Sequence, residues 1–138
     1  MTIAAAEFPG GGFVYEPRND GSDFHMSEEH AETIAQIRDT IAKVCEEFDG
    51  EYWREKDRDR AYPKEFVDKL TELGLLASLI PEEYGGSGLP ISVGAEILKA
   101  IHEQGANAGA CHAQMYTMGT VLRHGSEAQK EQYLPGIA

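Results

Sequence analysis

The stretch YPKEFVDKLTELGLLASLIPEEYGGSGLP, from Tyr62 to Pro90, limits the folds open to this chain more than any other. Pro63 suits the first turn of a helix, where its missing N–H would have had no partner anyway. Phe66, Val67, Leu70 and Leu73 then recur at three- and four-residue spacing, the pattern of one buried helix stripe. Gly74 can take the left-handed conformation that ends a helix. The following LLASLI is a continuous apolar run, too short for another independent helix, and is expected to run through a core. Pro81 stops that run, and Glu82 to Gly88 read as a sharp, glycine-dependent surface turn.

The elements on either side are helical. Ser27 is placed to cap a helix, with Glu28 and Glu29 in its first turn, where the free amides and the helix dipole favour negative charge. Ile34, Ile37, Ile41, Val44 and Phe48 form its apolar face, and Asp49-Gly50 is expected to end it. Tyr52-Trp53 and the alternating charges Arg54 to Arg60 read as a connection. Its charges cancel locally, which favours a solvated, self-paired segment over a docking patch. Beyond the central stretch, Ser92 can cap a helix carrying Ala95, Ile97, Leu98 and Ile101, closed by Gly105. From Asn107 to Arg123 there is almost no polar face, and a helix apolar all round is expected to be buried all round. Ser126-Glu127-Ala128-Gln129 is a capping box that starts a last short helix stopping at Leu134-Pro135. The fold class is therefore all-α, a bundle of about five helices over residues 27–138. Residues 1–26, with three consecutive glycines and scattered aromatic rings, are expected to form an extended arm pinned by those rings.

Composition narrows the partners. A chain of 138 residues with 41% hydrophobic side chains can bury a real core as one domain. Its formal charge of −12 repels phosphate backbones and anionic lipid surfaces, so neither nucleic acid nor membrane is expected as a partner. Cys45 and Cys111 lie in helical patterns, with no secretory signal or membrane-length apolar run in the sequence, which reads as two reduced thiols in a cytoplasmic protein.

Few residues are set up for chemistry. His102, Cys111 and His112 match no standard metal-ligand spacing, so no metal is expected. Adjacent Glu82 and Glu83 in a glycine turn have nothing to raise a carboxylate pKa, and Gly85 to Gly88 lack the lysine or GxGxxG context of a phosphate cradle. No nucleophile context is present and no catalytic residue is assigned. What remains is His112, a polar interruption in the apolar helix. Either a backbone carbonyl or Tyr116 satisfies it, or it shares one helix face with Met115, Tyr116 and Gly119 as the wall of an apolar ligand cavity.

From Ser27 to Ala138 the helix order, the block ELGLLASLIPEEYGGSGLP, the apolar fourth helix and the ending HGSEAQKEQYLPGIA resemble the N-terminal helical domain of acyl-CoA dehydrogenases, flavoenzymes that desaturate acyl thioesters. The resemblance implies FAD as cofactor, an acyl-CoA substrate, an electron-transfer acceptor and a homo-oligomeric assembly. It also implies that this helix lies beside the acyl tail and helps set its length, with His112 near the far end of the pocket, which supports the reading of His112, Met115, Tyr116 and Gly119 as the wall of the acyl pocket. The β-domain and the C-terminal domain with its catalytic glutamate would follow Ala138, so this chain is expected to be inactive without them. A free-standing helical interaction module derived from that family is the alternative.

Overall fold

The computed structural model describes residues 28–138, and the expected arm of residues 1–26 and the capping role of Ser27 lie outside them. Among the described residues the fold is all-helical: α1 (Glu28–Glu47), α2 (Gly50–Asp59), α3 (Lys64–Glu72), α4 (Ile91–Glu103), α5 (Gly109–His124) and α6 (Glu127–Ile137), with a single 3-10 turn at Glu82–Tyr84.

The five expected helices are present, and α2 is a sixth, formed where a connection was expected. Asp49 ends α1 and also begins α2, because its Oδ1 accepts from the amides of Glu51 at 2.9 Å and Tyr52 at 3.1 Å. The charges then pair along the new helix, Glu51 with Arg54 and Glu55 with Arg58. Apolar periodicity missed α2 because it buries no residue fully. It is held instead by Tyr52 and Trp53, whose rings meet Phe48 and Phe66 edge to face at centroid distances of 4.9 and 5.0 Å. Arg60 closes α2 in the left-handed conformation, φ 51°, which is usually left to glycine and costs other residues roughly 1 kcal/mol.

Two clusters share the core, and the run Leu75–Ile80 feeds both. Leu75 and Leu76 join Ile41, Phe66, Leu70, Val93, Ile97, Ile101 and Cys111. Ala77 and Ile80 join Met118 and Leu134. The run is thus buried as expected, while Leu73, assigned to the same buried stripe as Phe66, is 45% exposed. The glycine turn folds back along the run: the amide of Gly88 donates to the Ile80 carbonyl at 2.8 Å and that of Leu89 to the Ser78 carbonyl at 2.8 Å. The Tyr84 hydroxyl donates to Glu127 at 3.2 Å and ties the turn to α6.

Three helix boundaries differ from expectation. Pro90 occupies the N-cap of α4, so the helix starts ahead of Ser92. Pro135 lies inside α6 near its end, where a missing N–H breaks only one backbone bond, and the helix runs on to Ile137. Pro63 stands at the N-cap of α3, one residue before its first turn. The capping box at Ser126 forms, its amide donating to Gln129 Oε1 at 2.9 Å. Along the α1–α4 seam, Arg38 bonds Glu96 at 2.9 Å and also Glu103.

One polar network joins α2 to α3. Glu65 accepts from Lys56 at 2.8 Å and from the Tyr52 hydroxyl at 3.0 Å. Lys56, then the backbone N–H and the Tyr52 hydroxyl, hold the Glu65 carboxyl down to about 2 from an ordinary 4.5. The fold therefore favours the carboxylate. The stability it adds is present above pH 4.5 and is lost as pH falls through about 2. Urea midpoints measured across that window should fall less steeply for Glu65→Gln than for the native chain. Because Glu65 is exposed, added salt should narrow the difference.

Candidate functional site

Helix α5 touches both core clusters from one face only. Cys111, Met115 and Met118 are buried, whereas Tyr116 is 60% exposed and His112, Thr117 and Thr120 are also exposed. The expectation of a helix buried all round is corrected. An apolar face shows that something dry should cover it, and among the described residues part of that face is open.

The open face forms one wall of a groove of about 810 Å³ between α4, α5 and the run Leu75–Ile80. His112, Met115, Tyr116 and Gly119 all line it. Met115 and the buried Met118 contribute flexible thioether side chains, and Leu79, Leu89, Leu98 and Leu122 add aliphatic wall. Ile91, 78% exposed, also borders the groove. His112 meets Tyr116 edge to face, ring centroids 5.5 Å apart at 69°, rather than through a hydrogen bond. A Cβ built on Gly119 has nothing within 4 Å, so this glycine leaves space in the lining. Gly94 has the opposite surroundings. A Cβ there would come within 2.9 Å of Leu79 Cδ1, so its absence lets the apolar run lie against α4.

Sequence reasoning missed the α4 side of the groove. Ile91, Gly94, Ala95 and Leu98 line it, while Val93, Ile97, Ala100 and Ile101 fill the core. These are two adjacent stripes of one helix, and the 91, 94, 95, 98 spacing is a readable signal for the second. Arg123 and His124, treated as a helix end, also line the groove.

Both cysteines are free and buried. Burial pushes the Cys111 thiol up to about 11 and raises Cys45 as well, which makes them packing groups rather than nucleophiles. Among the described residues no group of three or more histidine, cysteine or carboxylate side chains could hold a metal ion, and no helix is long and apolar enough to cross a membrane.

The turn, the apolar run and the half-open α5 belong to a single architecture, and residues 27–138 match the family model for the acyl-CoA dehydrogenase N-terminal domain. The chain belongs to the acyl-CoA dehydrogenase family. It is 36% identical over 113 residues to the mitochondrial isovaleryl-CoA dehydrogenase of Pongo abelii, an alignment covering 78% of this chain and 26% of that relative. The chain thus spans about a quarter of the curated relative it matches. No solved structure matches it significantly.

The family implies a flavin, and the glycine-rich segment of this chain is not shaped to cradle one. A Cβ on Gly86 would lie 2.1 Å from the Ile80 carbonyl oxygen, so the space beside that glycine is filled by the chain's own backbone.

Proposed function

We propose that this chain is the N-terminal helical part of an FAD-dependent acyl-CoA dehydrogenase and that its α4–α5 groove receives the far end of an acyl tail. The observation that carries this reading is the convergence of His112, Met115, Tyr116 and Gly119 on one mostly apolar groove within a domain of that family. A tail needs dry walls along its length and few polar groups, and the methionines and leucines supply such walls. His112 and Tyr116 limit how far the tail extends. The flavin, the base that takes the α-proton, the contacts to the electron acceptor and the homo-oligomer interface are assigned to the rest of the enzyme, and this chain alone is inactive. Two buried free thiols suit a reducing compartment, and a cytoplasmic location is proposed.

The test uses the full-length enzyme, which should be yellow. Replacing His112 or Tyr116 by alanine should raise kcat/KM for acyl chains longer than the preferred one by about tenfold, as expected where one or two methylenes gain room. Short substrates should be unaffected. A profile across acyl lengths that does not move would overturn the assignment of this wall, and a colourless full-length protein would favour the interaction module.

A further inference from the structure

The most exposed large apolar side chain among the described residues is Ile91, 78% open to solvent on the α4 rim of the α4–α5 groove. One exposed isoleucine is ordinary, but this one continues an apolar wall with Leu79, Leu89 and Leu98. Arg123 and His124 line the same groove. Arg123 has no ion pair among the described residues, no carboxylate lies in α5 and none lines the groove, although the whole chain carries a charge of −12. The C-terminus of α5 accounts for a base at its end. It does not account for the lack of an acid to answer it. An open apolar rim beside an unanswered cation suits an acidic segment that carries an aromatic ring.

The course of α1 brings such a segment to the rim. Trp53, shortly after the end of α1, lines a hollow together with His102, Gly105 and Ala106, so the ends of α1 and α4 lie together and the two helices run in the same direction. Arg38 reaches both Glu96 and Glu103, which sets it level with the middle of that interval. Counting back from there at 1.5 Å per residue, Glu28 and Ile91 fall within about 3 Å of one level along the paired axes. Glu96 and Glu103 face α1, whereas Ile91, Ala95 and Leu98 stand on the opposite side of α4, about 10–12 Å away across the helix. Phe24 precedes Glu28 by four residues, about 13 Å of extended chain, which is enough to cross α4 at its first turn. Residues 1–26 also hold four carboxylates against one arginine, with Asp20 and Asp23 just before Phe24. We propose that residues 20–26 cross the N-terminal end of α4 and seat Phe24 on Ile91, with Asp20 and Asp23 turned toward Arg123. The segment roofs the α4 rim of the groove and takes Ile91 out of water. None of this depends on what the groove holds, so it stands or falls apart from the acyl assignment.

Urea unfolding of the 138-residue chain tests it through a double-mutant cycle. An isoleucine left 78% exposed tolerates alanine with a change of about twofold or less in the unfolding constant. Covered by Phe24, Ile91→Ala should instead raise that constant about tenfold, as the loss of a largely buried side chain does. Phe24→Ala should do the same, and the double variant should add little to either. A nuclear Overhauser contact between the Phe24 ring and the Ile91 methyls should be present in the native chain and should weaken in Arg123→Gln or on adding salt. Neutral single variants, or effects that simply multiply, overturn the proposal. So does a Phe24–Ile91 contact that fades on dilution, because the occupant would then be a second copy of the chain. A contact indifferent to both Arg123→Gln and salt overturns the charge pairing.

Discussion

Gly86→Ala should destabilise this domain more than any other single methyl group added to its surface loops. A Cβ at Gly86 would lie 2.1 Å from the Ile80 carbonyl oxygen, 2.5 Å from that of Ala77 and 2.5 Å from Ile80 Cβ. Two of these three neighbours are backbone, so no side-chain rotation relieves the clash. Moving the Ile80 carbonyl also breaks its bond from the Gly88 amide and shifts Ile80, which is fully buried against Met118 and Leu134. The expected cost is about 4 kcal/mol, the range reserved for overpacked or strained positions, against a total stability of roughly 5–15 kcal/mol for a domain. Urea unfolding of the variant measures it. Gly136→Ala is the control: a Cβ there meets nothing within 4 Å in α6, and alanine is the better helix former. A Gly86→Ala midpoint equal to that of Gly136→Ala would show that the turn does not rest against the run as described.

The same turn shows how far the residues alone lead. Its proline and glycines identify a reversal, because few other residues permit one, and the apolar run before it has no polar side to place on a surface. Those signals are local, and they hold. Helix α2 was illegible for the converse reason. Its stability comes from a cap at Asp49, charge pairs along its length and aromatic edges on Phe48 and Phe66, none of which produces a hydrophobic period. At the candidate site, the shared face of His112, Met115, Tyr116 and Gly119 follows from helix spacing and was readable. The opposing wall from α4 was missed although its spacing could be read, because Ala95 and Leu98 were merged with Ile97 and Ile101 into one apolar face, whereas the fold separates them into a core stripe and a groove stripe. Nor could the apolar face of α5 reveal its own exposure. Periodicity reports that a surface needs a dry neighbour, whether that neighbour is the same chain, another domain or a ligand.

Gly119→Leu tests that neighbour directly, and under the proposed function it should separate substrates sharply. Nothing lies within 4 Å of a Cβ at Gly119, so a leucine fits without moving the backbone, and replacing a mid-helix glycine should stabilise α5 by up to about 1 kcal/mol. The four added carbons must then occupy the groove against Met115 and Leu122. An acyl tail that reaches this depth loses the burial of its last methylenes at about 0.8 kcal/mol each, so losing three costs about 2.4 kcal/mol, or roughly fiftyfold in kcat/KM. A short tail that ends before Gly119 loses nothing. Measured in the full-length enzyme, the expected result is a truncated chain-length profile with an unchanged or higher melting temperature. Loss of activity spread evenly over all lengths would mean that α5 positions the reacting end rather than the tail. A profile identical to that of the parent would mean that the groove faces something other than substrate, because a leucine that fills it cannot be neutral to a ligand lying there.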